Sequence, residues 1–305
     1  MARIGIVVNP RAGGVKRDPA LPSRLRRILG DRGDLIVVDG RKEIAQTVEG
    51  FRRSGVEVLG IVGGDGSNLY TLTAATEVFN GDLPPVAFLK GGSVNTIGHS
   101  LGLRGPPEAL LRRLLALYAS GEIRTLEVAT LRVNAYVGFV VGAGLLGNFY
   151  DVFYSGSRKG PIDAGILVAR ALLSAFVEND LSRKLFTPVR ATVKVDGREV
   201  SFRDFTLIVA STVESLFGLR ATYRAKEKAG HFHLVASGLS HRRLGPQFHR
   251  TLLGLPLKGD RHEDAVARSV EIRFDRPAKY IIDGDLYEGE SIVVEPGPSI
   301  QVVAL

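Results

Sequence analysis

Cysteine and tryptophan are both absent from the 305 residues of this chain, and methionine occurs once. Without cysteine there is no disulfide and no thiolate metal ligand, which is compatible with a cytoplasmic protein. Aromatic residues make up 7%, and no stacking-aromatic motif of a nucleic-acid binder is present. No apolar run approaches the roughly 20 residues that a membrane-spanning helix needs. Met1-Ala2-Arg3 leads directly into an apolar strand, so no signal peptide is expected. The six histidines show no tight metal spacing. His231 and His233 alternate, a two-ligand arrangement at best, and a structural role is expected for them. Low-complexity tracts and internal repeats are also missing.

What remains is an ordinary globular composition, 45% hydrophobic and 24% charged. The length predicts two domains, each large enough for its own core. A net charge of +8 and a pI of about 9.8 favour anionic partners: lipid, nucleic acid or phosphorylated ligands.

Gly63-Gly64-Asp65-Gly66-Ser67 carries the most chemistry. It follows the apolar run 56–62 and precedes 68–79, which reads as a helix with Ser67 as N-cap. Glycines let backbone N–H groups approach an anion, and a helix N-terminus adds partial positive charge. A carboxylate within such a cradle repels phosphate unless a metal or a hydroxyl proton stands between them, which points to phosphoryl transfer. A plain turn is the competing reading. A second strand, 86–89, runs into Lys90-Gly91-Gly92-Ser93-Val94-Asn95-Thr96, and a third, 3–8, into Asn9-Pro10-Arg11-Ala12-Gly13-Gly14. Three such loops are expected to cluster at the carboxyl ends of parallel strands, where open α/β sheets bind ligands.

The order NPRAGG, GGDGS, GGSVNT resembles the catalytic domain of the diacylglycerol kinase and sphingosine kinase family, above all its soluble bacterial lipid kinases. The late Tyr280-Ile281-Ile282-Asp283-Gly284-Asp285 is similar to the family's Asp-Gly-Glu motif, and the likeness runs through nearly the whole chain. The resemblance implies an α/β N-terminal domain, doubly wound and phosphofructokinase-like. It implies a mostly β C-terminal domain with an inserted long helix, and an active site in the cleft between the two. It implies ATP and Mg²⁺ as cofactors and a lipid hydroxyl as acceptor. Asn9, Gly63, Gly64, Asp65, Gly66, Ser67, Gly91, Gly92, Ser93 and Asn95 would bind the nucleotide, and Asp65 would also organise Mg²⁺. Asp283 would be the general base, with Asp285 in place of the family's glutamate. This chain departs from the pattern in three places. Leu69-Tyr70 stands where members carry Asn-Glu, Asn95-Thr96 where they carry Asn-Asp, and Lys228-Ala229-Gly230 where some carry a metal-ligating Asp-Asp-Gly turn. Two alternatives remain open: a kinase of soluble small molecules, and a degenerate member that binds without turnover.

Strand and helix signals alternate through residue 125: strands at 3–8, 35–38, 56–62 and 86–89, helices near 20–29, 42–53, 68–79 and 107–119. The expected domains are 1–125, with 287–305 returning to it, and 126–286. In the second, strands are expected at 124–133, 136–141, 189–195, 198–202, 205–210, 231–236, 270–274, 279–282 and 291–303, with a long apolar helix over 163–177. Asp196-Gly197 reads as a hairpin turn, as Asp283-Gly284 does when taken alone. Residues 240–262 interleave Arg242, Arg243, Arg250, Lys258 and Arg261 with leucines and one phenylalanine. That pattern fits peripheral docking on an anionic membrane, or an amphipathic helix at about 247–253 packed on the second domain.

Overall fold

A computed structural model describes residues 4–93, 95–155, 170, 179–214 and 219–305. The helix expected over 163–177 and Val94 of the third motif lie outside the described residues. The chain divides into two compact units. The first comprises residues 1–130, 136–138 and 298–305, the second 131–135 and 139–297.

The first unit begins with β1 (Ile4–Val8), α1 (Gly13–Arg17), α2 (Leu21–Leu29), β2 (Gly33–Val37), α3 (Arg41–Ser54) and β3 (Val58–Val62). It continues with α4 (Asp65–Val78), β4 (Val86–Phe88), α5 (Thr96–Ser100), α6 (Pro107–Ala119) and β5 (Thr125–Val128). The sheet order is β2-β1-β3-β4, then the closing strand β17 (Ile300–Val303), then β5. The first four strands are mutually parallel, β17 is parallel to β4, and β5 runs antiparallel to β17.

Strand alternation decides which helices cover which face. Ile4, Ile6 and Val8 of β1 pack with Leu21, Leu25 and Leu29 of α2 and Leu110, Leu111 and Leu114 of α6. Val7, on the opposite face, packs with Ile44, Val48 and Phe51 of α3 and Ala74 and Ala75 of α4. Fully burying one such leucine stabilises the fold by about 1.5–3 kcal/mol. Pro107 opens α6 where its missing N–H costs nothing, and Gly55 closes α3 in the left-handed conformation.

In the second unit the order is β6 (Leu131–Val133), β8 (Val140–Gly144), α7 (Leu145–Ser155), α8 (Asp180–Leu185) and β9 (Val189–Val195); β7 (Tyr136–Gly138) belongs to the first unit. Then come β10 (Arg198–Glu199), β11 (Asp204–Phe205), β12 (Leu207–Ser211), β13 (Phe232–Ser237), α9 (His241–Leu244) and α10 (Phe248–Leu253). β14 (His262–Ala267), β15 (Val270–Ile282) and β16 (Asp285–Pro296) complete it. The strands pair antiparallel in the order β14-β13-β12-β8-β15-β16-β6, and β9 also pairs with β15.

Several boundaries differ from the sequence expectations for identifiable reasons. Strands 270–274 and 279–282 are one strand, β15, whose register shifts between Arg273 and Ala278. Pro277 lies in that shift, where its missing N–H is tolerated. The strand expected over 291–303 is two: β16 ends at Pro296, and only from Pro298 does the chain belong to the first unit. The second unit also begins later than 126, at Leu131. The sequence expectations do not include β14 or the helices α1, α5, α7, α8 and α9. Asp196 and Gly197 join β9 to β10 with φ of 48° and 82°, the primed-turn geometry that Asp-Gly favours.

Candidate phosphate-binding site and the Asp283 turn

The loops after β1, β3 and β4 emerge at the carboxyl ends of adjacent parallel strands, and their backbones are stitched together. Gly91 N–H donates to Gly63 O at 2.7 Å, and Gly14 N–H donates to Gly91 O at 2.9 Å. Asn9 N–H donates to Val62 O at 3.0 Å. This closeness is why the positions are glycine. A Cβ on Gly92 would overlap Gly64 Cα, and one on Gly91 would lie 2.9 Å from Gly63 N.

Side chains reinforce the stitching. Asn9 Nδ2 donates to Ser67 Oγ at 2.9 Å, while its Oδ1 accepts Arg11 N–H at 2.8 Å. Asn95, at φ 55°, closes on Gly92 by accepting its N–H at 2.9 Å and donating to its carbonyl at 3.0 Å. Asp65 accepts Thr96 N–H at 2.9 Å and Ile97 N–H at 3.1 Å, tying the start of α4 to the start of α5. Lys90 Nζ donates to Leu103 O at 2.9 Å, so it closes its own loop.

One local expectation is corrected. α4 begins at Asp65 with Gly64 as N-cap, and Ser67 is a buried residue inside its first turn. Gly64 caps α4 without a side-chain hydrogen bond, and Asp65 in that first turn complements the helix dipole. The structure therefore brings Asn9, Gly63, Gly64, Asp65, Ser67, Gly91, Gly92 and Asn95 into one bonded or close-packed cluster. Gly66 sits in α4, and Ser93 Oγ lies against Gly13.

The places of the family's further acids hold other chemistry. Tyr70 OH accepts from Arg41 Nη2 at 2.6 Å, and Arg41 Nη1 donates to Tyr136 OH at 2.8 Å. The guanidinium lies 4.1 Å from the Tyr70 ring centroid. At Thr96 it is the backbone N–H that is engaged, by Asp65.

In the second unit, Asp283 and Gly284 form the two-residue turn between β15 and β16, with φ of 46° and 85°. Asp283 is 4% exposed. Its Oδ1 accepts Phe139 N–H at 2.9 Å and Val140 N–H at 2.8 Å, and its own N–H donates to Val140 O at 3.0 Å. The turn is thereby locked onto the start of β8. Asp285, half-buried, is the first residue of β16 and pairs with Ile282.

A polar network in the second unit went unread in the sequence. His233 is fully buried on β13, and its Nε2 lies 3.0 Å from Asp264 Oδ1. Asp264 also accepts from Tyr223 OH and Arg224 Nη1, each at 3.0 Å, and Arg224 pairs with Glu227. Burial alone would raise the Asp264 carboxyl, but hydrogen bonds and charge from His233, with those from Arg224 and Tyr223, hold it at about 2. Burial, then Asp264, pushes the Tyr223 phenol up to about 12. Burial also pushes the His262 imidazole below its ordinary range, despite Asp264 at 3.9 Å. A cavity of about 740 Å³ opens on this network. The one available signal was a histidine inside the apolar run FHLVA. Its partner Asp264 lies on a strand with no clear alternation. Among the described residues no group of three or more His, Asp or Glu forms a metal cluster. Lys228-Ala229-Gly230 supplies no carboxylate.

Residues 3–131 match the diacylglycerol kinase catalytic domain family. This stretch holds all three glycine loops, so the family drawn from them is the family matched. No curated protein matches the chain. Among solved structures, a candidate diacylglycerol kinase from Bacillus anthracis str. Sterne aligns at 15% identity with a TM-score of 0.73, covering 99% of this chain and 96% of that one. A second, described as a diacylglycerol kinase of the same organism, gives 13% and 0.63 over 99% and 96%. A third, another candidate diacylglycerol kinase from it, gives 14% and 0.69 over 99% and 97%. At these identities the likeness is one of fold: a mixed α/β unit with a parallel-containing sheet and a largely β second unit. Among the described residues no helix is long and apolar enough to cross a membrane.

Proposed function

We propose that this protein transfers the γ-phosphoryl group of ATP, with Mg²⁺, to a lipid hydroxyl. The observation that carries the reading is the bonded cluster of three glycine loops within the stretch that matches the diacylglycerol kinase catalytic domain. Phosphoryl transfer needs mainly positioning and charge neutralisation. The N–H groups of the α4 N-terminus, beside loops that Gly14, Gly63 and Gly91 hold together through their own hydrogen bonds, fit a polyphosphate.

In this reading the lipid oxygen attacks the γ-phosphorus, the bond to the β–γ bridging oxygen breaks, and ADP leaves. The hydroxyl proton passes to Asp283. Mg²⁺ would fit the donor set as an ion held largely by the nucleotide's own phosphates and water, with Asp65 as the carboxylate that the three glycine motifs supply among the described residues, and it would neutralise charge on those phosphates. Asp65 orients the loop from which the nucleotide is bound, through Thr96 and Ile97.

A second reading has its own support. Asp65 and Asp283 both spend their carboxylates on backbone N–H groups, as structural acids do, which favours a member that binds nucleotide without turning it over. Single-turnover transfer from γ-labelled ATP, with mixed micelles of bacterial lipid and a parallel pool of soluble metabolites, separates the readings. Label in a chloroform-extractable product supports the lipid kinase. Label only in the aqueous pool supports a soluble acceptor. Nucleotide binding with no transfer supports the second reading.

A further inference from the structure

The segment joining β13 to β14 ends in an apolar tip. α10 stops at Gly254, which is left-handed at φ 65°, and the chain reverses into Leu255 and Pro256. Leu252, Leu253 and Leu255 are 47%, 63% and 40% exposed. A helix of six residues is too short to bury both of its sides, and these side chains are left outward. Elsewhere among the described residues, exposed large hydrophobics are single or paired along a strand.

The tip is preformed. Gln247 Nε2 donates to Lys258 O at 2.9 Å while its Oε1 accepts Lys258 N–H at 2.6 Å. Arg250 Nε donates to Pro256 O at 2.6 Å. Within residues 240–262 cations outnumber acids five to one. Arg242, Arg243 and Lys258 are exposed, and Asp260, the one acid between 240 and 262, is paired with Arg243. From the side, the backbone N–H of Arg220 donates to Thr251 O at 2.7 Å, and its guanidinium lies 3.8 Å from the Glu214 carboxylate.

Exposed leucines call for an apolar medium, and the cations around them call for an anionic boundary. A membrane surface rich in anionic lipid supplies both within a few ångströms. We infer that this tip is a docking surface for an anionic lipid bilayer, with Leu252, Leu253 and Leu255 entering the boundary between headgroups and acyl chains. The inference deepens the lipid-acceptor reading, but its test does not pass through activity.

The absence of tryptophan makes the test clean, because Leu253→Trp places the sole indole at the tip. Its emission is expected to move to shorter wavelength on vesicles of equal phosphatidylglycerol and phosphatidylcholine, and much less on phosphatidylcholine alone. In sedimentation with the same vesicles, Leu252→Asp with Leu255→Asp is expected to weaken binding by about tenfold or more. Arg242→Glu with Lys258→Glu is expected to remove the preference for anionic lipid. No emission shift at millimolar lipid, or undiminished binding by the aspartate variant, overturns the inference. A shift that follows protein concentration without lipid overturns it in favour of a second copy of the chain. Vesicle binding without phosphoryl transfer leaves it standing and counts only against the kinase reading.

Discussion

Asp65 holds Thr96 by accepting its backbone N–H at 2.9 Å, and the same carboxylate takes the next N–H, that of Ile97, at 3.1 Å. One acid thus starts α4 by position and α5 by hydrogen bonding. Asp65→Ala leaves the N–H groups of half-buried Thr96 and buried Ile97 without their acceptor and is expected to destabilise the first unit by about 1–3 kcal/mol. Asp65→Asn keeps one acceptor oxygen and should lose less. On the kinase reading both variants bind ATP but lose most turnover. Urea unfolding together with single-turnover transfer measures the two effects, and full turnover in Asp65→Ala would sink the role given to this residue.

At Asp283 the choice of substitution decides what is learned. Asp283→Ala removes the acceptor of Phe139 and Val140 N–H groups in a buried site, so lost activity there could simply report lost structure. Asp283→Asn can still accept through one oxygen but cannot take a proton. It should unfold within about 1–2 kcal/mol of the parent and show transfer reduced by a factor of about 10² or more. Parent-like transfer in a folded Asp283→Asn excludes the base assignment.

The close approach of the loops predicts a contrast between two glycines. Gly92→Ala drives a methyl group into Gly64 Cα, where neither backbone can yield without breaking the stitching. A loss of about 1–3 kcal/mol and a clear fall in nucleotide affinity are expected. Gly50 lies inside α3, where an added methyl group would meet nothing within 4 Å, and Gly50→Ala should stabilise by roughly 0.5–1 kcal/mol. Thermal melts with titration calorimetry of ATP test both.

The Asp264 network makes the second unit acid-sensitive. His262 is held below its ordinary range. The stability associated with its neutral form is complete above the unfolded value near 6.5 and declines as pH falls below it. Asp264, held at about 2, contributes stability that is complete above the unfolded value near 3.9 and disappears as pH falls towards 2. The two declines have the same sign, so stability should drop in two stages on acidification. Asp264→Asn should be less stable at neutral pH and should show a smaller lower stage, the remainder coming from other carboxylates held low, such as Glu49 beside Arg52 and Arg53. Denaturant unfolding at a series of pH values checks this, and an unchanged lower stage would overturn it.

Much of the first unit was legible because its signals are local. β1, β3 and α6 were placed within about two residues, since apolar runs, Pro107 and the glycine loops mark them without reference to distant chain. The helix start at Asp65 was misplaced because Ser67 looks like a cap in sequence, whereas its hydroxyl answers to Asn9, 58 residues away. The same distance problem hid the pairing of His233 with Asp264. Asp283-Gly284 was legible as a turn. The engagement of its carboxylate by Phe139 and Val140 depends on a strand more than 140 residues earlier, which no local pattern reveals.

The strand β17 has a consequence for synthesis. It lies between β4 and β5, yet it follows them by more than 170 residues. A chain emerging from the ribosome therefore presents both neighbours of a missing strand long before that strand exists, and the intervening β-rich unit is complete first. The unit whose strands come earlier in the sequence is the last whose sheet can close. During that interval β4 and β5 keep open edges, the sort that nascent-chain chaperones shield.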